Sequence, residues 1–181
     1  FYWIDKVGDV VIFSVIDCTG HGVPGAFVSL IANNALNKVI LEKEIVEPAK
    51  ILDAIDQIMI SSFSNAETTV RDGMDMGICA WNTKTNELQF SGAYHSLFVN
   101  NDSGLTEVKG NRESIGYSIF ENKEPFTNHK ISFKPGATVY LSSDGFPDQF
   151  GGEKGKKLKW SGFRKLLVEQ SGKLINSQKE S

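Results

Sequence analysis

The feature that most constrains the fold is a short apolar run that stops abruptly at a glycine-rich turn. Residues 10–16 are apolar and rich in β-branched side chains, a pattern typical of a buried strand. The run ends at residues 17–22, where two closely spaced glycines indicate a tight turn. Pro24 is favoured in the first turn of a helix, and apolar residues then recur at helical spacing to about Leu41. The sequence therefore predicts a strand, a tight turn and a helix in direct succession.

The rest of the chain changes from helical spacing to many short strands. A second helix is predicted from Pro48 to about Phe63, where an apolar stripe lies opposite a polar side. Alternating residues and turn clusters then predict short strands, and a last helix is predicted from Trp160 to about Glu169. The predicted strands span residues 76–81, 87–91, 97–99, 105–108, 129–133 and 138–142. This order predicts an α+β fold, with helices packed on an antiparallel sheet or a pair of sheets.

Size and composition limit the possible function classes. The 181 residues fit one domain, and a formal net charge of −3 argues against a basic nucleic-acid binder or a polybasic membrane anchor. The sequence shows neither a signal peptide nor the run of roughly 18 apolar residues that spans a bilayer. Two cysteines, Cys18 and Cys79, form neither a disulfide framework nor a zinc knuckle, which favours a reducing, cytoplasmic location. Because the sequence starts at Phe1 and ends in a polar run, we interpret residues 1–181 as a single domain from a longer protein.

Two aspartates share one context, between an apolar strand and a glycine turn. Asp17 follows residues 10–16, and Asp144 follows residues 138–142 and precedes Gly145. A carboxylate on such a rigid and partly desolvated position is costly unless it meets a cation, and oxygen ligands suit Mg²⁺ and Mn²⁺. The alternative is that both aspartates only cap turns and helices, since Asp is a preferred residue type at such positions.

Other reactive side chains form weaker patterns. The Cys-x5-Arg loop of cysteine-dependent phosphatases would need arginine where Pro24 follows Cys18, so a cysteine nucleophile is disfavoured. Asp75 opens a strand and is interpreted as a turn or strand-edge residue, with a place near the site as the alternative. Zinc-ligand spacing is absent from the three histidines, His21, His95 and His129.

The glycine turn and the second aspartate belong to a set of motifs that resembles a known family. Asp17-Cys18-Thr19-Gly20-His21-Gly22 resembles the Asp-x-x-Gly-His-Gly signature of the SpoIIE/RsbU branch of the metal-dependent PPM serine/threonine phosphatases. Further segments resemble this family in the same order along nearly the whole chain. They are Gly73-Met74-Asp75-Met76, Phe90-Ser91-Gly92-Ala93, Ile115-Gly116-Tyr117, Leu141-Ser142-Ser143-Asp144-Gly145-Phe146 and Asp148-Gln149-Phe150-Gly151-Gly152. The segment after Ala93 departs from the family, which often has amide-rich residues there, and reads Tyr94-His95-Ser96.

The resemblance implies a fold and a metal site. The fold would be an α-β-β-α sandwich of two antiparallel sheets flanked by helices, with its first and last elements truncated in this sequence. A site for two Mn²⁺ or Mg²⁺ ions would lie at one end of the sheets. Asp17 would be the bridging carboxylate, Cys18 a backbone carbonyl donor and Asp144 a further ligand. Two other aspartates of the family site would lie before Phe1 and on a final strand, so the sequence supplies only part of the ligand set.

The resemblance also implies an activity and partners. A metal-activated water would hydrolyse phosphoserine or phosphothreonine on a partner protein in bacterial signalling, typically an anti-sigma-factor antagonist. His21 would protonate the departing oxygen as the catalytic acid, with a structural role in the turn as the alternative. A sensor or receiver domain would precede such a domain, and neither nucleic acid nor a membrane would be a partner. The absent ligands motivate a second interpretation, a regulatory or binding module that keeps the phosphatase fold without turnover.

Overall fold

A computed structural model describes most of the chain. The described residues are 1–63, 72–101, 103–116, 123–132, 136–151, 155–170, 173 and 177–178. Tyr117 and Gly152 of the motifs quoted above lie outside the described residues, as does residue 133 at the end of a predicted strand.

The described residues form ten strands and three α-helices. The strands are β1 (Tyr2–Val7), β2 (Val10–Cys18), β3 (Met74–Asn82), β4 (Glu87–Ala93), β5 (Ser96–Asn101), β6 (Gly104–Lys109), β7 (His129–Ile131), β8 (Thr138–Leu141), β9 (Phe150–Gly151) and β10 (Lys156–Lys157). The helices are α1 (Gly22–Leu36), which continues as a π-helical segment over Asn37–Glu42, α2 (Pro48–Phe63) and α3 (Lys159–Glu169). None of these helices is both long enough and apolar enough to cross a membrane. The predicted α+β class is confirmed, and the strand, tight turn and helix occur in the predicted succession.

The strands form two antiparallel sheets and a short ribbon. The first sheet has the order β1-β2-β3-β4-β7 and the second has the order β6-β5-β8, while β9 and β10 pair separately. Neither β1 nor the two ribbon strands were predicted from the sequence. In β1, Trp3 is the one buried residue, because this strand lies at the edge of its sheet. It therefore lacks the alternation that identifies a half-buried strand.

Both faces of the first sheet are covered, as the alternation along β2 shows. Ile12 and Ile16 are buried in the cluster that β2 forms with α1 and α2. Phe13, on the opposite face of β2, packs with Phe90 from the same sheet and Leu97 from the second sheet. The two sheets therefore lie face to face over a shared apolar core.

The outer face of the second sheet is covered by α3. Phe98 of β5 is buried against Phe163 and Leu167, and the ring centroids of Phe98 and Phe163 are 5.5 Å apart. The side-chain amide of Asn100 donates a hydrogen bond to the Leu167 carbonyl oxygen at 3.0 Å. The layers therefore follow the order helices, sheet, sheet, helix, which is the sandwich that the resemblance implied.

The turn between β4 and β5 carries the chain from the first sheet to the second, and it requires a glycine. A Cβ atom on Gly92 would lie 2.3 Å from the carbonyl oxygen of His95 and 2.9 Å from the ring of Phe90. Both distances are too short for a carbon atom, so a side chain cannot be placed at position 92 without moving the backbone. Gly92 thus allows the chain to fold back closely on the end of β4.

Replacing Gly92 by alanine tests this constraint. We expect Gly92→Ala to lower the free energy of unfolding by about 1–3 kcal/mol, because the added methyl group must displace backbone atoms. The matched control is Gly151→Ala, since a Cβ atom there would meet no described atom within 4 Å, and its effect should stay within about 0.5 kcal/mol. Urea denaturation followed by tryptophan fluorescence measures both variants. Equal effects of the two substitutions would contradict the close packing.

Candidate active site

Two aspartates of the first sheet lie opposite each other at the end of the space between the sheets. Asp17 follows Phe13 by four residues on β2, so both side chains lie on the face that packs on the second sheet. The antiparallel register places Asp17 directly opposite Asp75 of β3. Because opposed residues on neighbouring strands share a face, the Asp75 carboxylate lies on this face as well.

Hydrogen bonds and close packing fix the turn that follows Asp17. The Thr19 N–H group donates to the Gly73 carbonyl oxygen at 2.9 Å, and the Gly73 N–H group donates to Thr19 Oγ1 at 2.9 Å. Gly20 has a φ of +85°, which glycine adopts without strain. A Cβ atom on Gly25 would lie 2.9 Å from the Gly20 carbonyl oxygen, so the start of α1 packs directly on the turn. Asp17 is therefore held by a rigid junction of strand and helix.

Asp144 reaches the same place from the second sheet. It follows β8 and begins a turn in which the Asp148 N–H group donates to the Asp144 carbonyl oxygen at 2.8 Å. The Asp148 carboxylate forms an ion pair with Lys157 of β10 at 2.6 Å. The carboxyl groups of Asp17 and Asp144 lie close enough for Asp17 to raise the pKa of Asp144. The structure thus brings together the two aspartates singled out in the sequence, one from each sheet.

Negative charge accumulates at this contact. Loss of hydration, followed by the adjacent Asp17 carboxylate, raises the pKa of Asp144. Burial raises the pKa of Asp75, and Asp144 adds to that rise, while a hydrogen bond from Ser114 opposes it. In the part of the chain that the structure describes, no lysine or arginine forms an ion pair with Asp17 or Asp144. The cluster is therefore short of positive charge.

His95 is the histidine that lies near these carboxylates. It is 8% exposed, and burial lowers the pKa of its side chain although Asp75 and Asp17 oppose the shift. Its Nδ1 atom has no hydrogen-bond partner among the described residues. His21, in contrast, is exposed at the N-terminal boundary of α1, and its side chain makes no capping hydrogen bond. Sequence reasoning missed the place of His95, and the acid role of His21 stays a prediction.

Cys18, the next residue after Asp17, carries a free thiol. Burial raises the pKa of this thiol, so it is protonated at neutral pH and is a poor nucleophile. The role that the resemblance implies for Cys18 uses its backbone carbonyl oxygen instead, and that role stays a prediction.

A buried chain of hydrogen bonds connects Asp75 to α2. Ser114 Oγ donates to Asp75 Oδ1 at 2.6 Å. Lys123 Nζ donates to the Ser114 carbonyl oxygen at 2.6 Å and to Asp56 Oδ1 at 2.8 Å. Asp56, which lies on α2 and is 4% exposed, also accepts a hydrogen bond from the Gly116 N–H group at 2.7 Å. No local sequence pattern indicates this network, which ties the loop after β6 and the Asp75 side chain to a helix.

The donor set suits a hard divalent cation. Asp17 and Asp144 offer carboxylate oxygens, the ligand type that Mn²⁺ and Mg²⁺ prefer, and a cation between them would relieve their repulsion. Among the described residues, no group of three or more His, Cys, Asp or Glu side chains converges on one metal position. The described residues therefore fit part of a metal site, formed around two carboxylates.

Comparison with known proteins identifies relatives of this fold. The family model of Stage II sporulation protein E (SpoIIE) matches residues 8–174. Among solved structures, the SiaA-PP2C domain of Pseudomonas aeruginosa is 34% identical, with a TM-score of 0.84, and the alignment covers 99% of this chain and 69% of that one. A comparison with curated proteins gave no match. These findings confirm the predicted resemblance.

Two more distant structures share the fold. One contains the PP2C phosphatase domain and a fragment of the regulatory domain of SpoIIE from Bacillus subtilis, with 18% identity and a TM-score of 0.71 over 97% of this chain and 48% of that one. The other is RsbX in complex with magnesium, with 13% identity and a TM-score of 0.61 over 99% of this chain and 78% of that one. Both agree with the α-β-β-α architecture.

Removing one carboxylate should change the melting temperature differently in the absence and in the presence of a cation. In EDTA at neutral pH, Asp144→Asn removes a charge that Asp17 repels, and we expect the melting temperature to rise by about 1–3 °C. Addition of Mn²⁺ should raise the melting temperature of the unsubstituted protein but not that of Asp144→Asn, because a ligand stabilises only the form that binds it. Differential scanning fluorimetry measures all four conditions. An equal response of both proteins to Mn²⁺ would count against a cation at this position.

The raised pKa of Asp144 also fixes how the stability of the folded protein in EDTA should change with pH. Because the pKa of Asp144 is raised in the folded state, the folded state binds more protons than the unfolded state, and stability falls as the pH rises through this ionisation. The advantage of Asp144→Asn in EDTA should therefore disappear in acid, where Asp144 is protonated. An advantage that persists in acid would show that repulsion between the carboxylates is not its cause.

Proposed function

This chain belongs to the Stage II sporulation protein E (SpoIIE) family, and from that premise we propose that it hydrolyses phosphoserine or phosphothreonine on a partner protein in bacterial signalling. The observation that carries the proposal is that the carboxyl groups of Asp17 and Asp144, one from each sheet, lie close together. The two residues come from the two most specific motifs of the family, and they meet at the end of the space between the sheets. A pair of converging carboxylates without a paired lysine or arginine among the described residues supports a cation-dependent reaction.

In this proposal the cofactors are two Mn²⁺ or Mg²⁺ ions. Asp17 and Asp144 would hold them through carboxylate oxygens, and Cys18 would contribute its backbone carbonyl oxygen. When bound, such ions supply a nucleophilic water at neutral pH and neutralise charge on the phosphoryl oxygens. The chain itself orients the ligands, because Asp17 sits on a locked strand–turn–helix junction and Asp144 begins a hydrogen-bonded turn. No protein nucleophile is needed, which agrees with the raised pKa of the Cys18 thiol.

His21 is the proposed catalytic acid. It is exposed at the first residue before α1, four positions after Asp17, so a phosphorylated side chain that approaches from solvent can contact it. A protonated imidazole can donate its proton to the serine or threonine oxygen as the bond to phosphorus breaks. His95 is too buried for this step, and its position near Asp75 and Asp17 suits a role in holding the site together.

The proposed substrate is a phosphorylated regulatory protein in the cytoplasm, of the anti-sigma-factor antagonist class. A sensor or receiver domain that controls the activity is a further proposed partner. The Bacillus subtilis relative supports such an arrangement, since its structure combines the phosphatase domain with a fragment of a regulatory domain.

A second candidate function is a regulatory module that keeps the fold without turnover. The observation that favours it is that no group of three or more candidate metal-binding side chains converges among the described residues. Catalysis and binding differ in one measurable respect, which is the release of phosphate in the presence of Mn²⁺.

Phosphate release from p-nitrophenyl phosphate by the intact protein tests the first candidate. We expect turnover with Mn²⁺ and its loss in excess EDTA, and we expect Asp17→Asn to lower turnover by at least about 10³-fold because a ligand is lost. The matched control is Asp5→Asn, an exposed aspartate on β1 that lies outside the site, which should leave turnover unchanged. Undiminished turnover of Asp17→Asn would refute the assignment, and a folded protein without any turnover would support the regulatory module.

The role of His21 can be separated from binding by the choice of substrate. We expect His21→Gln to slow hydrolysis of a phosphoserine peptide by about 10²-fold, because a serine oxygen needs a proton to depart. Hydrolysis of p-nitrophenyl phosphate should change little, since p-nitrophenolate leaves without a proton. Steady-state rates with both substrates measure the difference. Equal losses with the two substrates would indicate that His21 has only a structural role in the turn.

A further inference from the structure

A cavity of about 260 Å³ opens between the second sheet and α3, and we name it the basic pocket. It lies between the turn that joins β4 to β5, the segment after β6 and the start of α3. The side chains that define it are those of Tyr94, Glu107, Lys109, Arg112, Trp160 and Arg164. None of the proposed catalytic groups lies in this lining, so the proposed reaction leaves the pocket without a role.

Positive charge dominates the basic pocket. Arg164 donates hydrogen bonds from Nε and Nη2 to Glu107 Oε2 at 3.2 and 2.8 Å, so these two charges offset each other. Lys109 and Arg112 are exposed and form no ion pair with any described residue. Three cations against one anion leave an excess of positive charge on a chain whose formal net charge is −3. Such a local excess attracts ligands with carboxylate groups.

Tyr94 is held in a strained conformation at the edge of the basic pocket. Its φ is +57°, a region that bulky residues rarely adopt, and its side chain is 51% exposed. The Tyr94 N–H group donates to the Asn111 carbonyl oxygen at 2.8 Å, and the Asn111 N–H group donates to the Gly92 carbonyl oxygen at 2.8 Å. These bonds hold the backbone in a conformation that displays an aromatic ring to solvent. Retained strain with an exposed aromatic ring is typical of a binding surface.

The basic pocket and the candidate site share one turn of the chain. Tyr94 lines the pocket, and the next residue, His95, is buried where it acts on Asp17 and Asp75. A ligand that occupies the pocket therefore contacts the same turn of the chain that carries His95.

We propose that the basic pocket binds an acidic segment of the phosphoprotein substrate. Its Asp or Glu side chains face Lys109 and Arg112, and its backbone packs against the rings of Tyr94 and Trp160. The inference rests on the proposed function, because it assigns the pocket to the protein that carries the phosphorylated residue. Binding can nevertheless be measured without catalysis, so the two ideas fail separately.

The test measures binding of a fluorescent phosphoserine peptide with flanking glutamates to the intact protein in EDTA. Fluorescence anisotropy measures the dissociation constant. We expect it to be about tenfold higher when glutamines replace the glutamates of the peptide. We expect a similar rise, of about tenfold, when the glutamate peptide binds the double variant Lys109→Gln/Arg112→Gln, because two exposed charge pairs are lost. The control is Lys6→Gln/Lys43→Gln, which removes the same charge from exposed positions outside the pocket. Turnover of p-nitrophenyl phosphate by the unsubstituted protein tests the proposed function independently.

A second variant separates recognition from stability. Tyr94→Gly relieves the positive φ, so we expect an unchanged or higher melting temperature together with weaker binding of the glutamate peptide. Equal binding of the glutamate and glutamine peptides, or full binding by the Lys109→Gln/Arg112→Gln variant, would overturn the proposal. Displacement of the peptide by an equal concentration of inorganic phosphate would overturn it as well, because the pocket would then hold a single oxyanion and not a segment of protein.

Discussion

The closure of two antiparallel sheets over one apolar core is the constraint on which the rest of the structure depends. Asp17 ends a strand of the first sheet, and Asp144 follows a strand of the second. Their side chains meet only because Phe90, Leu97 and neighbouring residues pack between the sheets. Loss of hydration and the nearby Asp17 carboxylate both raise the pKa of Asp144, so a cation between the two carboxylates would relieve their repulsion. Hydrophobic burial thus holds together two charged groups that would otherwise separate, so a cation that binds between them would meet carboxylates that are already in position.

Local patterns in the sequence were sufficient to predict a helix or strand where that element buries one regular face. The strand at residues 10–16, the helix from Pro48 and the strands that flank tight turns were predicted correctly, because each alternates or repeats against a core. The edge strand β1 was missed, since only Trp3 along it is buried. The ribbon strands β9 and β10 were missed because two residues are too few for a period to be visible. Burial, and not propensity, decided which elements could be predicted.

Site residues could be predicted from the sequence where the neighbouring residues in the chain mark them. They could not be predicted where only tertiary packing brings them to the site. Asp17 and Asp144 stand out because each follows an apolar strand at a glycine turn. Asp75 also lies on the inner face, but this follows only from its register with Asp17 across two strands that are distant in sequence. His95 directly follows the family-like segment that ends at Ala93, but no local pattern predicts that its side chain is buried, since the burial accompanies the turn that Gly92 permits. The network from Asp75 to Asp56 likewise connects segments that no local pattern relates.

Carboxylates that hold divalent cations attract phosphate monoesters in general, so the choice of one phosphoprotein must come from surfaces beside the site. The turn between β4 and β5 contributes to both requirements, because His95 faces the carboxylates and Tyr94 faces the basic pocket. A change in the backbone of this turn would therefore disturb chemistry and recognition together. Lys109 and Arg112 are different, since they are exposed and make no ion pair with the described residues. In the proposed function, substitutions there would change the preferred partner without moving the carboxylates, so recognition would diverge on a site whose chemistry stays the same.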